Sequence, residues 1–241
     1  MSKIDFHSHI LPGIDDGARN LETSYNMHQM ARQQEVDLML ATPHFYASQD
    51  RIDNFLKRRE EAWVQFHDTV EASEETEPRI ILGAEVAFFD GISRARDIEK
   101  LTIQGTNLML LEMPFEVWNS QQIKEVEYLI KERKFQIIIA HLDRFLWIPG
   151  NKKWIKELLE LPVSIQINAD AFAFDSWMHT RNLVKLFKEG KAHVLGSDCH
   201  GAHHRVPNLQ DGRDILEKKA GKEVLEQIDR QGEKLLSAIL K

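Results

Sequence analysis

Short apolar runs recur along the chain at a nearly constant spacing. They are rich in β-branched and large aliphatic residues, and their lengths are typical of strands. The runs cover residues 3–6, 36–42, 79–86, 107–113, 135–140, 163–168 and 192–197. The last five begin 28 or 29 residues apart. This pattern predicts seven strands, with a helix-sized interval between most neighbours.

Amphipathic patterns with the helical period occupy most of these intervals. The clearest lie at 21–35, 51–71, 120–133 and 180–190. The predicted helix caps are Asn20, Ser120 and Ser176 at N-termini and Gly190 at a C-terminus. Strands that alternate with helices at this pitch predict consecutive βαβ units and a parallel sheet.

Closure of this sheet into a barrel is favoured over an open, doubly wound arrangement. Seven strands at near-constant spacing suit a barrel, and no G-x-G-x-x-G turn follows the first strand, as a dinucleotide-binding fold would require. A chain of 241 residues that is 42% hydrophobic can bury one sizeable core. The prediction is therefore a single α/β domain over residues 1–241, built as a (β/α)7 barrel.

Charge and composition narrow the class of protein further. The 38 acidic residues exceed the 31 basic ones, and the net charge of −7 argues against a nucleic-acid or anionic-membrane surface. We find neither an apolar leader at the N-terminus nor an uncharged stretch of eighteen apolar residues. The single cysteine, Cys199, excludes an intrachain disulfide framework. We expect a soluble, cytoplasmic protein without membrane insertion, of undetermined oligomeric state.

Histidines and carboxylates stand at the C-terminal ends of six of the seven predicted strands. In chain order they are His7 and His9, His44, Glu85, Glu112, His141, and Asp198 with His200. In α/β barrels these strand ends form the face on which functional groups gather. Aspartate, glutamate and histidine together make up about a fifth of the chain, so one such residue means little, but six strands of seven is a rare coincidence. A ring of imidazoles and carboxylates without cysteine ligands suits Mn²⁺, Zn²⁺ or Fe.

Each of these residues also has a simpler interpretation. His7 and His9 share one face of a strand, which suits a common ion, but this pair alone does not distinguish a metal site from a structural role. Asp16, in the sequence GIDDG, is equally a turn-former. Glu85 and Glu112 lie in otherwise apolar strands, where an unpaired buried carboxylate is unfavourable, so a structural salt bridge is their only serious alternative.

Taken together, the motifs resemble the polymerase and histidinol phosphatase (PHP) family. They are H-x-H at 7–9, GIDDG at 13–17, ATPH at 41–44, the two strand glutamates, AH-x-x-R at 140–144 and SD-x-H at 197–200. GIDDG followed by ATPH is most similar to the bacterial tyrosine-phosphatase branch associated with capsular and exopolysaccharide synthesis. The resemblance implies a distorted, seven-stranded TIM-like barrel that holds three metal ions, usually manganese.

The resemblance also implies a role for each site residue. It places His7, His9, Glu85 and Asp198 around one ion, Glu85 with Glu112 and His141 around a second, and Asp16, His44 and His200 around a third. Arg144, in AHLDR, and Arg205, in HGAHHRVP, would correspond to arginines that contact phosphate. AHLDR carries Leu-Asp where the branch usually has Pro-Glu. Asp170, His203 and His204 have no inherited role, although Asp170 could support the ligands.

The implied activity is metal-dependent hydrolysis of a phosphomonoester. Clustered divalent ions neutralise the phosphate dianion and activate water, and rim arginines supply bidentate contacts to its oxygens. The implied substrate is a phosphotyrosine protein, a bacterial tyrosine kinase of capsular or exopolysaccharide synthesis. A small phosphomonoester such as histidinol phosphate would satisfy the same electrostatics.

Three alternatives stay open. Cys199 and Arg205 fit the C-x5-R pattern of cysteine-dependent phosphatases, but the intervening loop has one glycine and three histidines. An amidohydrolase-type C–N hydrolase also begins with H-x-H, but it favours a lysine and a histidine where this chain has Glu112 and Asn168. A non-catalytic binding barrel would be expected to have lost some ligands, and here the set is complete.

Overall fold

The structure, a computed structural model, describes residues 1–74, 76–173 and 177–240. The strands of this part of the chain are β1 (Ile4–Ser8), β2 (Leu38–Ala41), β3 (His44–Phe45), β4 (Arg79–Leu82), β5 (Glu85–Ala87), β6 (Leu108–Glu112), β7 (Gln136–Ile139), β8 (Ser164–Asn168) and β9 (Val194–Gly196). The helices are α1 (Leu21–Gln33), α2 (Ile52–Ala72), α3 (Ser120–Lys131), α4 (Leu142–Phe145), α5 (Asn151–Leu158), α6 (Trp177–Lys188), α7 (Leu209–Ala220) and α8 (Lys222–Leu235). Three short 3-10 segments lie at Ile92–Arg94, Ile98–Leu101 and Ala169–Phe172.

All strand pairs are parallel, as the alternating pattern predicts. One sheet has the order β1-β2-β4 and the other the order β3-β5-β6-β7-β8-β9. Backbone hydrogen bonds also join β1, in the first sheet, to the end of β9, in the second. The Asp198 N–H, just after β9, donates to the His7 carbonyl over 2.8 Å, and the His9 N–H donates to the Cys199 carbonyl over 2.9 Å. The two sheets therefore form one curled parallel sheet, in which β1 and β9 are in contact.

The strand count differs from the seven predicted, because two chain segments are each interrupted. β3 follows β2 after Thr42 and Pro43, and the proline lacks the N–H that a continuous ladder needs. β5 follows β4 after Gly83 and Ala84. A Cβ atom on Gly83 would lie 2.4 Å from the end of the Ile103 side chain, so a larger residue there would require that side chain to shift. The described residues thus form nine strands.

Apolar side chains alternate between two clusters along the strands. Leu108 and Leu110 of β6 belong to a small cluster that also receives residues from β1, β2, β7 and β9 and from the end of α8. Met109 and Leu111 belong to a larger cluster shared with the helices. Because strands from both edges feed the small cluster, it lies inside the curled sheet. Glu112 continues the alternation of Leu108 and Leu110 and therefore faces the inside.

The four named helical patterns are confirmed, with small shifts at their ends. Asn20 caps α1, since its side chain accepts a 2.9 Å hydrogen bond from the Thr23 N–H. Ser120 is wrong as a cap, because Asn119 caps α3 and forms a reciprocal capping box with Gln122. Gly190 follows α6 with a φ of 66°, which is typical of a helix C-terminus. Ser176 lies outside the described residues.

No helix in the described part of the chain combines the length and apolarity that a bilayer crossing needs.

Candidate metal centre

All nine residues predicted as metal ligands converge on one end of the curled sheet. They fall into four overlapping groups, each with its donor atoms within 4.8 Å of one another. The groups are His9–Asp16–His44–His200, His7–His9–Glu85, His7–His141–Asp198 and His44–Glu85–Glu112. His44 and Glu85 begin β3 and β5, just beyond the C-terminal ends of β2 and β4. The other seven lie near the C-terminal end of a strand or in the loop that follows it, and parallel strands share that edge.

The two histidines of the H-x-H motif face the same pair of carboxylates. The Nε2 atoms of His7 and His9 lie 3.1 Å apart. Glu85 Oε2 is 3.1 Å from the first and 3.3 Å from the second, and Asp198 Oδ1 is 3.6 and 3.4 Å away. Two donors bound about 2.1 Å from one ion are about 3.0–3.4 Å apart. These four side chains therefore have the spacing of a shared coordination shell.

Glu85 occupies the centre of the cluster and is fully buried. Its Oε1 lies 2.8 Å from His141 Nε2, and its Oε2 lies 2.9 Å from His44 Nδ1. Glu112 Oε1 is 3.4 Å from the same His141 nitrogen. The two oxygens of Glu85 thus face different sets of donors, which is the geometry of a bridging carboxylate.

A more exposed set lies on the solvent side. Asp16 Oδ1 is 3.6 Å from His44 Nε2 and 3.5 Å from His200 Nε2. The side chain of Asp16 is 68% exposed, whereas His200 is almost buried. This set, which His9 also joins, is the part of the centre that solvent and a ligand reach most directly.

Electrostatics within the centre reflect close pairing of opposite charges. Burial by itself raises the pKa of Glu85, but the facing imidazoles, His7 foremost, hold the pKa well below its usual range. Burial by itself lowers the pKa of His141, but Glu112 and Glu85 raise the pKa to about 10. Binding of a cation here therefore has to displace protons from imidazoles.

Several buried nitrogen and oxygen atoms of the cluster lack hydrogen-bond partners, and this feature shows whether the cluster fits a metal. Among the described residues, Glu85 Oε2, His44 Nδ1 and His200 Nε2 are buried and form no hydrogen bond of acceptable geometry. Buried polar atoms are normally paired, and those that are not need an explanation such as an ion. The donors are nitrogen and carboxylate oxygen, which suit divalent transition metals. The residues present therefore fit metal ions.

Asp15 supports the centre, although the sequence motifs predict only the adjacent Asp16 as a ligand. Its Oδ2 lies 2.7 Å from His9 Nδ1 and accepts a 2.9 Å hydrogen bond from the His44 N–H. Its Oδ1 accepts from the Gly17 N–H over 2.9 Å. Asp15 thereby fixes the ring of His9 with Nε2 directed into the cluster, a common arrangement behind metal-binding histidines. The pair of adjacent aspartates in GIDDG is the sequence signal for this supporting role.

The sixth predicted strand supplies a second supporting pair. Gln166 Oε1 accepts a 2.6 Å hydrogen bond from the His141 N–H and lies 3.3 Å from His7 Nδ1. The Asn168 side-chain amide donates to Asp198 Oδ2 over 2.9 Å. Gln166 also donates to Asn168 over 2.8 Å. Polar residues at alternate positions of the otherwise apolar VSIQIN run are the sequence signal for this pair.

Both predicted arginines lie at the rim and contact Asp198. Arg144 and Arg205 each place a guanidinium nitrogen on Asp198 Oδ2, over 2.5 and 2.7 Å. Their side chains are 33% and 39% exposed, so both remain accessible from solvent. The other oxygen of Asp198 faces His7 and His9. The arrangement places two fork-shaped cation donors at the edge of the cluster.

Left-handed backbone conformations mark three of these residues. His141, Asp198 and Arg205 have φ angles of 31°, 52° and 47°. Such conformations are uncommon outside glycine and collect at functional sites, where surrounding structure maintains them. Here they turn the side chains that follow β7 and β9 toward the cluster.

Asp170, His203 and His204 belong to none of the four groups. His203 and His204 are exposed. Burial raises the pKa of Asp170, while Arg144 and Arg205 act to lower it. Asp170 therefore lies near the arginines rather than among the converging donors.

Cys199 is unsuited to nucleophilic attack. Its side chain is completely inaccessible to solvent and belongs to the large apolar cluster. Burial raises the pKa of the thiol, and the neighbouring Asp5 raises it further. A cysteine-dependent phosphatase needs an accessible thiolate, so these observations argue against the C-x5-R alternative.

A curled parallel sheet with clustered imidazoles and carboxylates at its strand ends defines an α/β protein with a candidate metal centre. The family model described as capsular polysaccharide synthesis, CpsB/CapC, matches residues 3–237. The chain belongs to this family, which confirms the resemblance to the capsular branch.

Relatives and solved structures agree with that assignment. The chain is 28% identical to the tyrosine-protein phosphatase CpsB of Streptococcus pneumoniae over 231 residues, covering 90% of this chain and 91% of the relative. It is 27% identical to the tyrosine-protein phosphatase YwqE of Bacillus subtilis, covering 97% and 91%.

Among solved structures, those of YwqE and CpsB, described as unique metal-dependent tyrosine phosphatases, give a TM-score of 0.82 at 23% identity and cover 98% of this chain and 94% of the matched one. Dihydropyrimidinase from Brevibacillus agri gives a TM-score of 0.58 at 10% identity, covering 94% and 68%. At these identities, both structures demonstrate a shared fold only.

Proposed function

We propose that this chain is a metal-dependent phosphomonoester hydrolase, and specifically a protein-tyrosine phosphatase. The observation that carries the proposal is the central, buried Glu85. Its Oε1 faces His141, and its Oε2 faces the other imidazoles, those of His7, His9 and His44. The names of the CpsB and YwqE relatives support the choice of phosphotyrosine. We further propose that the substrate protein is a tyrosine kinase of capsular or exopolysaccharide synthesis.

We infer that three divalent ions, manganese in the first instance, occupy the centre. The proposed ligand sets are those that the family resemblance implies: His7, His9, Glu85 and Asp198; Glu85, Glu112 and His141; and Asp16, His44 and His200. In the structure His141 also groups with His7 and Asp198, and His44 with Glu85 and Glu112. The spacing of His9 also allows it to contribute to the third set. When bound, the ions would lower the pKa of a coordinated water and neutralise charge on the phosphoryl group.

The chain's own residues would orient the substrate. Arg144 and Arg205 would each grip phosphoryl oxygens through two N–H groups, in place of their contact with Asp198. Asp198 would keep its hydrogen bond from Asn168 as the arginines turn toward the substrate. The acidic net charge of the chain does not oppose an anionic substrate, because bound cations dominate the local field.

We also propose that the nine strands form the distorted seven-stranded, TIM-like barrel that the family resemblance implies, as one domain over residues 1–241. In that count, β2 with β3 and β4 with β5 are each one interrupted barrel strand. The hydrogen bonds of His7 and His9 with the segment after β9 support closure.

Substrate identity is tested by comparing turnover of a phosphotyrosyl peptide, histidinol phosphate and a nucleoside monophosphate by manganese-loaded protein. We expect the phosphotyrosyl peptide to have the highest kcat/KM. A preference for histidinol phosphate would reassign the chain to small phosphomonoesters. Failure to hydrolyse any of the three would overturn the proposed activity.

Cys199→Ser is expected to retain most phosphatase activity. The thiol is buried away from the rim, and the hydroxyl replaces it at similar volume, so neither the metal centre nor the arginines are disturbed. Steady-state kinetics on a phosphotyrosyl peptide provide the check. A nearly complete loss of turnover in a folded variant would instead assign a nucleophilic role to Cys199.

Asp15→Asn is expected to weaken metal binding by roughly 10- to 100-fold, as is typical when the partner of a ligating histidine is changed. The amide keeps the size of the side chain but removes the charge that holds His9 Nδ1. Titration of metal-free protein with Mn²⁺, followed by calorimetry, measures the change. Unchanged affinity would show that Asp15 only shapes the turn.

A further inference from the structure

A cavity of about 670 Å³ opens directly beside the solvent side of the metal centre. Asp16 and His44, both proposed ligands, form one wall. Tyr46 also lines the cavity, and so do Phe45 and Phe55, which are almost completely buried and pack edge to face with their rings 5.4 Å apart. Its size lies within the range of about 300–1,000 Å³ that is usual for small-molecule sites.

Tyr46 connects the cavity with the metal centre. Its ring lies 5.0 Å from the ring of His44 and is tilted by 31°. The side chain is half-buried and lines the cavity. His44 in turn places its two nitrogens near Glu85 and Asp16. The aromatic ring of Tyr46 therefore lies next to that of His44, a proposed metal ligand.

Two charged residues of the lining, Arg58 and Asp50, neutralise each other. Arg58 pairs with Asp50 over 2.8 Å and donates to the Ile14 carbonyl over 2.9 Å. The remaining carboxylates of the lining, Asp15 and Asp16, face the imidazoles of His9 and of His44 and His200, so the lining is acidic but paired. A neutral aromatic group suits such a space better than a second anionic group.

We propose that this cavity binds the leaving group of the substrate and that the tyrosyl ring of the phosphopeptide stacks against Tyr46. The inference rests on the proposed phosphatase function and extends it by assigning the site of the aryl group. A phosphoryl group held by the proposed ions would direct its aryl group toward His44, which is a proposed ligand and also lines the cavity. Aromatic pairs stabilise each other at centroid separations of about 4.5–7 Å, and Tyr46 is the partly exposed aromatic side chain in this lining.

A second aromatic side chain at the rim provides a matched comparison. Phe115 stacks on His141 with ring centroids 5.9 Å apart and is 58% exposed. It does not line the cavity. Phe115 and Tyr46 thus each cover a proposed ligand histidine, but only Tyr46 lines the cavity.

The test measures binding of two non-hydrolysable probes, phenylphosphonate and methylphosphonate, to manganese-loaded protein by calorimetry. The readout is the ratio of their dissociation constants, since both probes share the phosphonate and only one carries a ring. Wild-type protein should prefer phenylphosphonate. Tyr46→Ala and Tyr46→Leu should each lose about five- to tenfold of that preference, the scale of one aromatic pair. Tyr46→Phe and Phe115→Ala should retain it.

Metal content and circular dichroism, measured on every variant, separate loss of the ring from loss of the centre. The proposal is overturned if folded, metal-replete Tyr46→Leu keeps the wild-type ratio, or if Phe115→Ala loses as much as Tyr46→Ala. Wild-type protein that binds neither probe and hydrolyses no phosphomonoester would overturn the phosphatase proposal and this one with it. Phosphatase activity with an unchanged ratio in the Tyr46 variants would overturn this one alone.

Discussion

Glu85→Ala is expected to lose more metal and more turnover than any other single change of a proposed ligand. Both oxygens of Glu85 have imidazole nitrogens within about 3 Å, so one truncation removes a donor from two ligand sets. Loss of a residue that supports a metal ligand commonly lowers metal affinity or activity about 10- to 100-fold. Loss of a bridging ligand should lower them by more than roughly 100-fold. Metal analysis and kinetics on the same preparation measure both effects.

Glu125→Ala is the matched control for that variant. Glu125 is also a buried carboxylate, but it accepts a 3.0 Å hydrogen bond from the Ser93 N–H and belongs to none of the four donor groups. We expect it to reduce stability while keeping the metal. If Glu85→Ala keeps both its metals and its rate, the proposed ligand assignment is wrong.

Arg205→Ala is expected to reduce turnover by roughly two to three orders of magnitude, as for a lost charge-stabilising donor. Metal content and folding should be unchanged, because Asp198 Oδ2 keeps its hydrogen bonds from Arg144 and Asn168. Arg205→Lys should recover only part of the rate, since lysine keeps the charge but loses the two-pronged contact. Steady-state kinetics with metal analysis provide the measurement.

An exposed arginine elsewhere supplies the comparison for Arg205. Arg230 pairs with Glu226 over 3.6 Å on the surface of α8 and is 58% exposed. Such surface pairs contribute about 0–1 kcal/mol to stability and nothing to rate. Arg230→Ala should therefore behave like wild type. Wild-type kinetics from Arg205→Ala as well would reduce Arg205 to the same kind of surface pair.

The site could be predicted from the sequence to the extent that strand ends identify it. In a parallel sheet the C-terminal ends share one edge, so polar residues that end successive apolar runs must meet. His141 and Asp198 illustrate this, since they lie 57 positions apart in sequence and yet share a donor group. The family resemblance added the grouping of ligands, which spacing alone does not contain.

The residues that support the ligands and the interruptions of the strands are harder to predict from the sequence. Asp15 and Asp16 are adjacent and alike, and only the folded turn shows that one holds the ring of His9 while the other faces solvent. Gly83 reads as part of a strand, because the Ile103 side chain that fills the space beside it is distant in sequence. Local pattern does not encode such long-range packing.

Metal removal tests the central claim most directly. The protein is treated exhaustively with EDTA, its residual metal is counted, and hydrolysis of a phosphotyrosyl peptide is measured before and after stoichiometric additions of Mn²⁺, Zn²⁺ or Fe²⁺. We predict that activity disappears with the metal and returns with added ions, most completely with Mn²⁺. Full activity in protein shown to contain no metal would contradict the account.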